Sequence, residues 1–335
     1  LLPPAWDGVL TISTWEDAEA LRTRLASAAG DAGGADTDRA DKDRADAGHA
    51  PPGSGGGGPR SASVGIVGGG WLGLELASSL AAAGHHAEVT DIAVQPLGTL
   101  LPPEVGRRIA RWLADAGVTF HGGHPVTEAG TRRTGEDTPA GSPVTEAGEA
   151  VTAAGTPVVE AGTARIVTEG REAGYDVVVG ALGARPGTEW LPADLLTPGG
   201  HVAVDGSGRT ARAGVWAVGD ASSSEQHWNA AVGSAQRCAA AILGQEAPRT
   251  PPPVVFSTMF GRDVDVVGWP RPDLAVAWRG EGEEWTALLH EGGTLHGGVV
   301  VGRPRDVADL RRLLADGPAT LDLPAAVAAP RLRSR

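Results

Sequence analysis

Apolar and polar positions fall into strand-like and helix-like periods along this chain. Residues 64–67, Val-Gly-Ile-Val, form an unbroken apolar run that predicts a buried strand; after Gly68-Gly69-Gly70 the period becomes that of an amphipathic helix. A second strand follows and ends on an acid, Asp91. Upstream, Gly8 to Ile12 reads as a strand, and Trp15 to Ala29 reads as a helix with Ala18, Leu21 and Leu25 on one face and Ser13 or Thr14 as its cap. Downstream, a strand-and-helix pattern resumes at Ala164–Thr168. Tyr175 to Gly180 has the composition of a strand buried on both faces, and Thr210 to Asp220 reads as an apolar strand ending in Gly219-Asp220.

Two stretches break this pattern. Residues 30–60 are mostly Gly, Ala, Asp, Arg and Pro, with a GSGGGG run, and hold too few apolar residues to offset the entropy of ordering; a disordered linker is expected. Residues 122–163 repeat PVTEAGT, PVTEAGE and PVVEAGT at unequal intervals, without the fixed period or apolar face of a solenoid. An expanded, disordered surface loop is the expectation there.

The glycines at 68, 70 and 73 carry the most specific chemistry. Strand, Gly-x-Gly-x-x-Gly, helix and terminal acid occur in the order that binds a dinucleotide. Gly68 permits the tight turn, Gly70 the approach of a pyrophosphate and Gly73 close helix packing, with the phosphates at the helix N-terminus. Gly69 and Leu72 complete the loop, and Asp91 is placed to bind the adenosine ribose hydroxyls. No Lys or Arg lies between Val89 and Gly106 to accept a 2′-phosphate, so NADH is expected over NADPH.

Composition narrows the rest. The 335 residues suffice for two or three domains, and 41% hydrophobic residues suit a folded chain. A net charge of −13 argues against nucleic acid, and no apolar run is long enough to span a bilayer; no membrane association and a cytoplasmic location are expected. Cys238 is the single cysteine, so no intrachain disulfide can form and no cysteine-based metal site is expected. It sits in an Ala-rich helical stretch and reads as a small core residue.

The order of motifs resembles the FAD-dependent ferredoxin, rubredoxin and putidaredoxin reductases. VGIVGGGWLGLELA resembles the family's NADH motif, and LPPEVGRRIARWLADAGVTF the segment after it. DVVVGALGARPGTEWL resembles a loop near the nicotinamide, with Gly187 where Asn is usual, and GRTARAGVWAVGDAS resembles the second FAD motif. HWNAAVGSAQRCAAAILG is similar to the helix that follows, although Ala230 stands where the family has Asn. PPPVVFSTMFGRDVDVVG and VVVGRPRDVADLRRLL resemble the C-terminal reductase domain.

The resemblance implies an α/β fold. A Rossmann-like parallel-sheet NADH domain would cover 13–196, with a remnant of a FAD domain at 1–12. The second part of the FAD domain would cover 197–248, a small α+β reductase domain 249–318, and a tail 319–335. It implies hydride transfer from NADH to FAD and onward passage of electrons to a small iron–sulfur or rubredoxin-type carrier. It further implies that Glu75 and Trp228 lie on the flavin and nicotinamide side, that Gly183 gives the nicotinamide room, and that Gly219 and Asp220 bind the ribityl chain. No acid–base residue is assigned. The family's first FAD glycine motif has no counterpart before Gly68, so weak or absent flavin binding is expected of the chain as it stands.

A flavin-free NADH-binding or partner-binding module is the alternative expectation. A carbon-substrate dehydrogenase would need a general acid–base group, for which His201 and His227 are the nearest candidates. Arg303, Arg305, Arg311 and Arg312 form the densest basic cluster outside the linker and are expected to help dock an acidic carrier.

Overall fold

In the computed structural model, which describes residues 6, 8–29, 61–131, 164–222, 227–249 and 251–332, the chain enters through a short strand β1 (Leu10–Thr11) and a helix α1 (Trp15–Ala28). Thr14 caps α1 through a reciprocal pair: its hydroxyl accepts from the Asp17 N–H at 3.2 Å, and the Asp17 carboxylate accepts from the Thr14 N–H at 3.0 Å. Two strand–helix units follow, β2 (Ser63–Val67) with α2 (Trp71–Ala82), and β3 (His86–Asp91) with α3 (Pro103–Asp115), closed by β4 (Thr119–Gly122).

Next come β5 (Val126–Thr131), β6 (Ala164–Thr168), β7 (Arg171–Tyr175) and β8 (Val177–Gly180). Strands β1-β8-β2-β3-β4 make one parallel sheet in that order, whereas β5-β6-β7 make a separate antiparallel one. Val64, Ile66, Val89, Val177 and Val179 are buried in the parallel sheet because helices cover it, which explains why its strands read as apolar runs. One cluster ties the two sheets together. Burial pushes the Glu88 carboxyl up, but hydrogen bonds from His121, His86, Tyr175 and Arg171 outweigh burial and hold it well below the ordinary carboxylate range.

The remainder comprises α4 (Trp228–Ile242), then β9 (Val254–Met259), β10 (Arg262–Gly268), β11 (Ala275–Glu281), β12 (Glu284–Glu291) and β13 (Thr294–Val301). These lead to α5 (Pro304–Leu313), β14 (Ala319–Thr320) and α6 (Leu323–Ala328). The antiparallel sheet runs β11-β12-β13-β10-β9, with β14 on β13. Its core is continuous with that of the parallel-sheet domain: Trp285, Met259 and Val301 share a cluster with Leu74, Ile109 and Trp112. Arg108 of α3 lies over both Trp278 and Trp285, at 4.9 and 5.0 Å, and donates to the Gly282 carbonyl at 2.9 Å.

Three sequence expectations are corrected here. The biased stretch was expected to be loop from residue 122, but its first repeat lies in β5, paired with β6, because Val126 and Ala129 pack against an apolar cluster that includes Ile166. The expected linker at 30–60 and the part of the second stretch at 132–163 lie outside the described residues. The apolar segment from Thr210 to Asp220 is not a strand: its backbone has one isolated bridge, Arg209 to Trp216, and no neighbouring strand to pair with among the described residues. The part of the expected tail at 319–332 belongs to the C-terminal domain, since β14, α6 and Leu332 pack on its sheet.

A buried ion pair anchors that end. The Asp306 carboxylate accepts from Arg279 Nε at 3.0 Å, Arg303 Nε at 2.8 Å and Thr286 Oγ1 at 2.8 Å, and Arg279 Nη1 donates to the Ala326 carbonyl at 2.7 Å.

Candidate functional site

The sheet order places a crevice where the chain reverses direction of propagation. From β2 the chain builds toward β3 and β4 on one side, while β8 and β1 lie on the other. A ligand lying across the carboxyl ends of β3, β2 and β8 meets Asp91 first, the glycine loop in the middle and the β8 loop last.

The glycine loop is shaped by contacts that exclude a side chain. Gly68 has φ +112°, and a Cβ there would sit 2.4 Å from the Ala181 carbonyl oxygen; one on Gly73 would sit 1.9 Å from the Gly68 oxygen. The first glycine therefore makes the turn against β8, and the last lets α2 close onto it. Gly70 caps α2 without a side chain of its own, and nothing lies within 4 Å of its Cβ direction, so the helix N-terminus is open.

Asp91 holds this loop as well as facing it. One carboxylate oxygen accepts from the Gly69 N–H and the other from the Ala93 N–H at 2.6 Å. The Leu97 N–H adds a bond to the Gly69 carbonyl at 3.0 Å, with Leu97 in the left-handed region at φ +56°. The residues after Asp91 carry no cation, and Ile92 and Val94 are about two-thirds exposed. Leu72 is exposed beside the open N-terminus.

At the other end of the crevice, Gly183 follows β8 with no atom within 4 Å of its Cβ direction. Glu75, at the start of the second turn of α2, accepts a hydrogen bond on Oε1 from the Ser257 hydroxyl of β9. The nearby Ser78 Oγ accepts from the Phe260 N–H at 2.7 Å. Sequence reading missed Ser257: 182 positions separate it from Glu75, and nothing local marks it.

Gly219, Asp220 and Trp228 group apart from the glycine loop. Gly219 donates its N–H to Ser234 Oγ at 2.9 Å, and Asp220 is exposed with no hydrogen bond among the described residues. Trp228 opens α4 and is 70% exposed. It lines a cavity of about 750 Å³ with His227, Phe256, Trp269, Asp265 and Arg311. That cavity contains neither the glycine loop nor Gly219 and Asp220, so its size does not mark the nucleotide crevice. Strand β9 connects the two groups, because Asn229 of α4 donates to the Val254 carbonyl at 2.7 Å while Ser257 of the same strand reaches Glu75.

The two histidines are held differently, and His201 Nε2 is buried without a hydrogen-bond partner among the described residues. His227 Nδ1 accepts from the Ala230 N–H at 3.1 Å as the cap of α4, and His201 lies in a turn paired through its backbone with Thr197. Of the four arginines, Arg303 is bound to Asp306, and Arg312 to Asp309 and the Leu332 carbonyl. Arg305 and Arg311 are exposed and make no ion pair among the described residues. Cys238 is buried, 6% exposed. Among the described residues no helix is long and apolar enough to cross a membrane, and no group of His, Cys, Asp and Glu could hold a metal ion.

The residues present suit a nicotinamide dinucleotide: an open helix N-terminus, a glycine turn, an acid at the end of β3 and an unobstructed glycine after β8. They fit only part of a flavin dinucleotide, for which Asp220 and Trp228 offer a carboxylate and a ring, while the described residues hold a single glycine loop of this kind.

Two family models match the chain. A family model described as pyridine nucleotide-disulphide oxidoreductase matches residues 5–235, and one described as reductase C-terminal matches residues 255–334. A nitric oxide reductase FlRd-NAD(+) reductase of Aeromonas salmonicida is 26% identical over 251 residues, covering 72% of this chain and 54% of that protein, so the chain spans about half the length of this relative. Among solved structures, a ferredoxin reductase from Rhodopseudomonas palustris superposes with a TM-score of 0.68 at 22% identity, covering 95% of this chain and 70% of that one. Putidaredoxin reductase, in its covalent complex with putidaredoxin, gives a TM-score of 0.68 at 19% identity, covering 94% and 67%. These likenesses establish a shared fold.

Proposed function

The chain belongs to the pyridine nucleotide-disulphide oxidoreductase family, and from that premise we propose that it is an NADH-dependent flavoprotein reductase that passes electrons to a ferredoxin- or rubredoxin-type carrier. The observation that carries the reading is the crevice itself, where Asp91, the glycine loop and Gly183 lie in line across β3, β2 and β8. With one cysteine in the sequence, the chain cannot relay electrons through an internal disulfide, so transfer would go from flavin to an external acceptor.

In this reading Asp91 accepts from the adenosine ribose hydroxyls and repels a 2′-phosphate, the open N-terminus of α2 takes the pyrophosphate, and Gly183 leaves room for the nicotinamide. Asp220 would accept from the ribityl hydroxyls and Trp228 would cover the ring edge. FAD supplies the conversion of a hydride into single electrons; the chain's part is alignment and exclusion of water. Of the predicted basic cluster, Arg305 and Arg311 make no ion pair among the described residues and would meet an acidic carrier.

The NADH assignment is tested by titrating the full chain with NADH and with NADPH, read by energy transfer from tryptophan. Saturable NADH binding, at least about tenfold tighter than NADPH, is expected, a difference of roughly 1.4 kcal/mol. Replacement of Asp91 by Ala should weaken NADH and narrow that gap. Equal affinity for both nucleotides, or preference for NADPH, would remove the assignment. The second reading, a flavin-free NADH-binding module, is favoured by the single glycine loop among the described residues.

A further inference from the structure

The Glu75 carboxylate is held from another domain. Ser257 is buried, 6% exposed, on the face of edge strand β9 that packs toward α2, and its hydroxyl donates to Glu75 Oε1. The other carboxylate oxygen, Oε2, has no partner among the described residues. Glu75 is half-buried and Oε2 is not among the buried unpartnered atoms, so that oxygen is reachable from solvent and open to a ligand donor. Around it the contact is built firmly. Ser78, one turn further on the same helix face, takes the N–H of Phe260 at the tip of the β9–β10 hairpin, and Phe260 holds a left-handed conformation at φ +51°. The Asn229 bond to Val254 fixes the start of β9.

We propose that Ser257 is a positioning residue of the dinucleotide site: it holds Glu75 so that the free oxygen accepts a hydrogen bond from the nicotinamide carboxamide. The inference rests on the NADH reading and adds a residue of the C-terminal domain to it. Without the Ser257 donor, Glu75 gains rotamers, and in some of them its charge would turn toward the pyrophosphate.

A purely structural contact and a positioning contact differ in which ligand they affect. ADP-ribose occupies the same crevice but lacks the nicotinamide. The test measures the Kd of NADH and of ADP-ribose for the full chain, for S257A, for S257T and for E75Q. The expectation is that S257A weakens NADH about fivefold to tenfold and leaves ADP-ribose within twofold, and that S257T, which keeps the hydroxyl, restores NADH affinity. E75Q should also lose NADH and spare ADP-ribose, which reads the same contact should S257A fold poorly. Equal loss of both ligands in S257A, no loss of either, or unchanged NADH affinity in E75Q would overturn the inference. A wild-type chain that binds neither ligand would overturn the nucleotide reading, and this inference with it.

Discussion

At the scale of single residues, the acids of this chain do two kinds of work. Asp91 was legible as a candidate ribose-binding acid because it closes the second element after a glycine turn, a pattern contained in one short stretch of sequence. Its bonds to the Gly69 and Ala93 N–H groups were not legible, since they depend on how the following loop folds back. Asp306 was invisible as a structural anchor for the opposite reason: Arg279 and Thr286 come from distant strands, and Arg303 beside it read as a docking cation. Burial pushes the Asp306 carboxyl up, but its bonds from Arg303, Arg279 and Thr286 prevail and hold it below the usual carboxylate range. Its contribution to stability is therefore complete above the unfolded value of about 3.9 and is lost as pH falls through the lower folded value. Asp306→Asn leaves Arg279 buried against a weaker partner and should cost about 3 kcal/mol at pH 7. Urea unfolding at pH 7 and near pH 3 checks this; the variant should lose less stability on acidification than wild type, and an equal acid loss would assign the effect elsewhere.

Elements were readable where their partners lie nearby in sequence and obscure where they do not. β2, α2 and β3 form one local unit, so strand, turn and helix agree with one another and with the fold. The helix at 15–28 followed from its spacing and from Thr14, and the buried run at 175–180 contains β8. The segment from Thr210 to Asp220 has the composition of a strand but no neighbouring strand among the described residues, and β-propensity expresses itself only against a neighbour. For β5 the error ran the other way, because low-complexity text concealed a strand whose partner, β6, lies across the rest of the repeats. Strand β9, on which the proposed positioning of Glu75 rests, was least legible in that respect: its sequence marks a strand, but only the packing shows it bonded to α2 on one side and α4 on the other.

The whole molecule joins a parallel-sheet domain to an antiparallel one through a shared core, with a net charge of −13. An acidic carrier would be repelled at long range unless positive charge is focused locally, and Arg305 and Arg311 are the members of the predicted basic cluster not spent on internal acids. R305E/R311E should slow reduction of an acidic ferredoxin and flatten its dependence on ionic strength, while reduction of ferricyanide stays the same; an unchanged salt dependence would clear these residues of a docking role. The central claim is that this chain passes electrons from NADH through flavin, and the flavin absorbance bands report it directly. With FAD supplied in excess and oxygen removed, the account predicts that NADH bleaches those bands at a rate set by the protein concentration. Saturable NADH binding with no protein-dependent bleaching would contradict it and leave a nucleotide-binding module in its place.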